Sequence, residues 1–532
     1  MARRFPRHLR RRVTDLRGVW DFRLDDGPPD VMAVPGCWDA TPRYAGRRGV
    51  GVYRRELRLA DGTPHRLVLD GVQHACRVLL DGEEVATHDG GFTRFTVDVS
   101  RGGVLELHVD NRDGASPLHH DFYDWHHYGG IARGAELHRL GTSWIDDVRV
   151  TTLSVDPVPV VDVEVDLGGE PAPLHVRIGD VELRHDRATG RVHERIELPG
   201  FACWSPGAPN LHVLEVVYGD DDWRERIGLR IVGTDDGHLT INGEPVRLLG
   251  VNRHDSHPDH GFALPDDHRL ADLQLVERLG ANFVRGGHYP QDETFLELCD
   301  ERGVAVWSEA TAWQPDAKLL CDDAWLRAAE HNIDEMVAAA RNHPSVILWG
   351  LLNEGRSDDP RCRPGYQRLI GRLRAHDPSR PVTYAGNHTE NDVCADLVDV
   401  VGINTYPGWY HDEITDIPAV LDRLVAHVDP SKPVIVSEIG AEGVRGWRDD
   451  ARDRWSEEHQ ADLLDAAIRH VLAEGSRFSG IAIWVFADFR TSNAMPRVLG
   501  RPRNYNQKGV VDEYRRPKLA TETVARAFRE LR

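Results

Sequence analysis

Three apolar runs in this 532-residue chain end in a glutamate. V-A-V-W-S-E closes on Glu309, V-I-L-W-G-L-L-N-E on Glu354, and P-V-I-V-S-E on Glu438. A run this apolar predicts a strand buried on both faces, and such a strand holds its last side chain rigidly. Two carboxylates held this way can hydrolyse a glycosidic bond. A retaining mechanism needs them about 5–5.5 Å apart, one as acid and base and one as nucleophile. Low polarity would raise the pKa of the acid, while hydrogen bonds would keep the nucleophile ionised. One glutamate at a strand end is more often an ion-pair partner or a helix cap. Two at matching positions, with Asn353 before one of them, turn the balance toward chemistry. Position alone does not exclude Glu309.

The elements that must position these groups follow from the surrounding pattern. From residue 233 onward, eight short apolar runs begin near 247, 282, 304, 346, 381, 400, 433 and 481. Most are separated by segments such as D-D-H-R-L-A-D-L-Q-L-V-E-R-L-G, whose apolar residues recur at i, i+3, i+4 and i+7. Eight strands with intervening helices predict a (β/α)₈ TIM barrel over 233–532, with its chemistry at the C-terminal strand ends. Residues 1–142 instead alternate apolar and polar with Asp-Gly and Gly-Gly turns, which predicts a jelly-roll-like antiparallel β-sandwich. Residues 143–232 continue as strands of a length and number that suit an immunoglobulin-like sandwich.

Composition narrows the function classes. The formal net charge of −21 argues against nucleic acid or an anionic membrane as partner. No stretch is apolar for long enough to span a bilayer. The basic N-terminus lacks the apolar segment of a secretory signal, so a cytoplasmic protein is expected. Seven scattered cysteines without a C-x-x-C pair fit free thiols rather than a disulfide framework or zinc site. Arginine supplies nearly all the cations, with 61 copies against 4 lysines, so a lysine in a site-like context invites a question.

At these residues the chain resembles glycoside hydrolase family 2, and within it the β-glucuronidases. The likeness runs over essentially the whole length. It is carried by G-V-N-R-H-D, V-R-G-G-H-Y-P, R-N-H-P-S-V-I-L-W-G-L-L-N-E, N-T-Y-P-G-W-Y, S-E-I-G-A-E-G and W-V-F-A-D-F. The family's three-part build, a sugar-binding-like sandwich, an immunoglobulin-like sandwich and a barrel, matches the division above. The resemblance implies that Glu354 is the general acid/base and Glu438 the nucleophile of a retaining exo-β-glycosidase acting on terminal β-D-glucuronides, with no metal or organic cofactor. It implies that Asn353 meets the sugar 2-OH, that Tyr406 approaches the nucleophile, and that His288, Asn404, Tyr410 and Trp484 line the pocket. Asp121, in H-D-F-Y, matches a residue that the first domain lends to the pocket. Asn506 and Lys508, in N-Q-K-G, resemble the element that grips the sugar carboxylate, a task suited to an amide donor and a compact ammonium.

The pattern also departs from the family. Gly287 stands where Ser is usual, Gly350 replaces the Ser of W-S-x-x-N-E, and Ile439 replaces a Tyr. These changes are expected to touch the pocket floor. R-V-L-G (497–500) is separated from Asn506, which leaves Arg497, Arg501 and Arg503 as further candidate carboxylate donors. A β-galactosidase or β-galacturonidase of the same build would keep the chemistry and change only the residues around C4 and C6. A metal-dependent barrel hydrolase would draw on His254, Asp255, His257 and His260, or on His119, His120, His126 and His127. It lacks both the H-x-H of strand-1 metal sites and a strand-4 lysine. A non-catalytic carbohydrate-binding protein would need no paired carboxylates. A homo-oligomer is compatible with all of these readings.

Overall fold

The computed structural model describes residues 5–59, 62–119, 123–492 and 501–531. Between residues 13 and 139 two antiparallel sheets face each other. One orders Val13–Asp15, Gly130–Arg139, His65–Gln73 and Arg94–Val99, and the other runs from Asp30–Val34 to Glu83–Asp89 through six strands. Alternation drives the packing. In His65–Gln73, Leu67 and Leu69 point inward and are fully buried, meeting Tyr53, Val78 and Leu107 of the facing sheet.

The next sheet is built on two long strands, Val160–Ile178 and Val181–Glu197. The first pairs with Ser143–Ser154 along its early half and with His212–Tyr218 along its late half. Its register breaks between Leu167 and Leu174, where Gly169 takes φ +76°. There the strand bends, so Val161, Val163 and Val165 share a core with Val176, Ile178, Leu214 and Val216.

Eight parallel strands then close a barrel: β1 Leu248–Asn252, β2 Phe283–Arg285, β3 Ala305–Glu309, β4 Val346–Asn353, β5 Val382–Gly386, β6 Val401–Asn404, β7 Val434–Glu438 and β8 Phe478–Ile483. Strand β4 is buried along its whole length. Ile347 and Leu348 fill the interior with Phe283, Trp307 and Ile435, while Trp349, Leu351 and Leu352 pack beneath the helices. Leu239 and Ile241 of a small antiparallel sheet join the interior cluster.

Four of the described α-helices start on a side-chain cap, at Asp292, Asp316, Asp322 and Ser456. Asp322 accepts from Trp325 N at 2.7 Å, and Ser456 caps Glu457–Val471. Two expectations shift. Among the described residues the β5–β6 connection holds only 3₁₀ turns, organised by Asp392, which accepts from Cys394 N, Ala395 N and the Tyr384 hydroxyl. The apolar run expected as strand 481–488 leaves the ladder at Ile483, because Trp484, Val485 and Phe489 join an aromatic cluster with Tyr123, Trp125 and Tyr128 of the first sandwich. That cluster seats the first sandwich on the barrel mouth. No helix among the described residues is long and apolar enough to cross a membrane. All seven cysteines are free.

Candidate active site

Glu354 and Glu438 open into one cavity of about 740 Å³ at the C-terminal mouth of the barrel. Glu438 ends β7. Glu354 follows β4 with φ +49°, a left-handed conformation that carries strain in a non-glycine residue and turns the chain sharply at the mouth.

One arginine organises the floor. Arg285, fully buried at the end of β2, donates to Glu438 Oε1 at 2.8 Å, Asn353 Oδ1 at 2.9 Å and Asn252 Oδ1 at 2.9 Å. It also forks onto both oxygens of Glu309 at 2.8 Å each. From Asn353 the network continues to Asn404, whose Nδ2 donates to Asn353 Oδ1 and to Glu354 Oε1, both at 3.0 Å. Ser437 fixes the Asn404 amide by donating to its Oδ1 at 2.7 Å. The two candidate carboxylates are thereby tied to one rigid set of side chains.

Their environments differ. Glu438 accepts from Arg285 on one oxygen and from the Tyr406 hydroxyl on the other, at 2.5 Å. Glu354 accepts only neutral amides here, Asn404 and Gln314 Nε2, the latter at 2.7 Å. Burial above all, with repulsion from Glu354, pushes Glu438 up to about 8, against the pull of Arg285 and Tyr406. The nucleophile candidate, expected to stay ionised at ordinary pH, is thus the carboxylate that burial raises. Burial pushes Glu309 up to about 7, opposed by Arg285. It is fully buried and off the cavity wall, so its place is to hold Arg285 and, at 3.0 Å, His288 Nδ1.

Of the residues singled out from the sequence, His288, Asn353, Asn404, Tyr406, Tyr410, Trp484 and Asn506 all line the cavity. His288 stacks on Trp484 at 4.8 Å, and burial holds the ring neutral. Asp121 and Arg497 lie outside the described residues. Arg503 does not reach the site and pairs with Glu513. Lys508 stands behind the wall, its ammonium 3.0 Å from the Tyr410 hydroxyl and 3.1 Å from Glu442 Oε1, over the rings of Trp409 and Tyr410. Arg501 does line the cavity, bonded to Asp124 at 3.0 Å and Glu442 at 3.3 Å. Asn506 also donates to Asp124, at 3.2 Å.

The departures resolve individually. A Cβ on Gly350 would sit 2.2 Å from Trp307 Nε1, so this glycine makes room for the indole that lies under the Arg285 guanidinium rather than shaping the pocket floor. Ile439 is fully buried off the cavity wall. At Gly287 a Cβ would make ordinary contact with Trp484 at 3.4 Å.

Sequence reasoning missed Arg285, Asp124, Glu442 and Gln314 as members of the site. Arg285 left a signal, since a charged residue inside a strand buried on both faces must be paired. The other three left none. Of the histidines considered for a metal hydrolase, His254 packs against Phe489 and Trp484, and Asp255 pairs with Arg253, while His257 and His260 lie side by side with ring centroids 5.1 Å apart. His119 and His127 meet edge to face at 5.5 Å, and His120 lies outside the described residues.

Residues 232–532 match the family described as "Glycosyl hydrolases family 2, TIM barrel domain". The chain is 27% identical to the β-glucuronidase of Homo sapiens, over 96% of this chain and 90% of that protein. Among solved structures it is similar to a family 2 β-galacturonidase from Eisenbergiella tayi bound to galacturonate, with TM-score 0.92 and 34% identity over the full length of both chains. It is also similar to Bifidobacterium dentium β-glucuronidase complexed with coumarin-3-O-glucuronide, with TM-score 0.90 and 26% identity over 98% and 97% of the two chains. The barrel, the shared cavity of its strand-end glutamates and these likenesses together make the chain a member of glycoside hydrolase family 2.

Proposed function

We propose that this glycosidase is a retaining exo-β-uronidase. In this reading Glu438 attacks the anomeric carbon while Glu354 protonates the leaving oxygen, and Glu354 then draws a proton from the water that releases the sugar. The observation that carries it is the convergence of both carboxylates on one cavity through Arg285, Asn353 and Asn404. Charge-assisted bonds are about twice as strong as neutral ones, so Arg285 works against burial to favour the carboxylate form of Glu438.

The preference for a uronic acid rests on the opposite corner. Arg501 and Asn506 face the cavity with Lys508 just behind, in a chain whose net charge is −21. A sugar carboxylate needs such local donors, and Asp124 already accepts from two of them. Between the C4 epimers, the likeness to a galacturonate-bound structure at 34% identity favours a β-D-galacturonide, with a β-D-glucuronide as second reading. Four nitrophenyl substrates decide: β-D-glucuronide, β-D-galacturonide, β-D-glucoside and β-D-galactoside. Better turnover of a neutral glycoside, or an inverted first product by NMR, would reject the proposal.

A further inference from the structure

The segment H-D-S-H-P-D-H (254–260) joins β1 to helix α1, Asp266–Arg278. Its first histidine turns into the aromatic wall of the mouth. Its other two turn away from it. His257 and His260 meet His268, in the first turn of α1, with ring centroids 5.1, 5.1 and 5.0 Å apart pairwise. One nitrogen from each ring lies within 4.8 Å of the others.

From this arrangement we propose that His257, His260 and His268 form a site for a divalent transition metal of the zinc type, separate from the catalytic cavity, that clamps the β1–α1 loop to α1. Tetrahedral zinc with nitrogen at 2.0–2.1 Å sets its ligand nitrogens about 3.3 Å apart, so the rings must close by about 1.5 Å at most. Three imidazoles are intermediate donors that suit zinc, nickel or copper over magnesium or calcium. His257 is buried and its two partners half-exposed, which leaves a fourth position for water.

The scaffold is already fixed. His257 and Gly261 exchange backbone hydrogen bonds at 2.9 and 2.8 Å, which sets the spacing of His257 and His260. A Cβ on Gly261 would collide with Cys37 and Tyr128, so the turn is seated against the first sandwich. His268 N donates to Pro265 O at 3.0 Å. Behind the rings Asp267 Oδ1 lies 3.3 Å from His268 Nδ1, a carboxylate of the kind that orients a metal-bound imidazole. His257 Nδ1 accepts from the Asp259 backbone N–H at 3.2 Å, a bond that metal binding at His257 displaces. Arg515 opposes a cation, but its guanidinium is committed to Asp272 and to the carbonyl of Ser256.

The test uses the full chain, freed of metal by EDTA and dialysis, and titrated with Co²⁺ by visible absorption and with Zn²⁺ by calorimetry. The expected result is one tight equivalent per chain with a tetrahedral cobalt spectrum and a raised thermal midpoint in zinc. His260→Ala and His268→Ala should weaken that binding by more than the roughly 100-fold that losing an outer partner costs, with glycosidase turnover retained. His331→Ala, at the separate His88–His331–Glu335 group, should leave it unchanged. Absence of saturable binding, or binding that survives both substitutions and is lost in His331→Ala, would overturn the assignment.

Discussion

Tyr406→Phe isolates a single bond to the nucleophile candidate. The phenol donates to Glu438 Oε2 at 2.5 Å, and burial, with Glu438 and Glu354 nearby, keeps its own pKa well above 10, so it remains a donor throughout. The change removes one oxygen and keeps the ring that packs against Tyr410 at 5.1 Å. A hydrogen bond to a charged partner contributes about 1.5–3 kcal/mol. At 1.36 kcal/mol per pKa unit this is a rise of about 1–2 units for Glu438. The sign follows from the active form. The bond stabilises the carboxylate, and without it burial and Glu354 raise the pKa further from about 8. In the proposed mechanism only the carboxylate of Glu438 attacks, so the acid limb of kcat/KM should move to higher pH by the same 1–2 units, about 10–100-fold less activity at a fixed pH below the limb. Steady-state rates on the best-cleaved nitrophenyl β-glycoside across the pH range supply the assay. A profile that superimposes on wild type, with kcat/KM intact, would refute a role for Tyr406 at Glu438. An increase in KM alone would move that role to the sugar.

Further outcomes follow from the same geometry. Glu438→Gly should be inactive and recover turnover with azide as the α-glycosyl azide, whereas Glu354→Gly should give the β-azide; swapped anomers, read by NMR, would reverse the assignments. Glu309→Leu leaves Arg285 with one buried carboxylate fewer, and unfolding should show a loss of about 3–5 kcal/mol together with lost turnover. If stability falls while turnover stays, Glu309 does not position the floor. Gly350→Ser forces a Cβ to within 2.2 Å of Trp307 and should cost about 1–3 kcal/mol by denaturant titration, with sugar preference unchanged. Lys508→Ala should raise KM for the uronide while sparing any residual neutral-glycoside activity. A uniform loss on both substrates would assign the lysine to packing over Trp409 and Tyr410 instead.

Strand existence was legible because parallel strands covered on both faces must be apolar throughout, and because β/α alternation leaves few topologies. Glu354 and Glu438 could be picked out because a barrel displays strand ends at one mouth, so sequence position translates into place. The end of β8 was less legible, since Trp484 and Val485 look the same in a ladder as in an aromatic cluster.

The amino-acid sequence by itself therefore determined the barrel, its two preceding sandwiches and which carboxylates stand at strand ends. These follow from local periodicity and from chain geometry. Only the tertiary structure decided that Arg285 joins Glu309 to Glu438, that Arg501 rather than Arg503 faces the cavity, that Asp124 occupies the cationic corner, and that two histidines of one motif leave the mouth to meet a third. Each is a contact between residues far apart in the chain or from different elements, and which charges meet there depends on how separately folded sheets and loops come to rest.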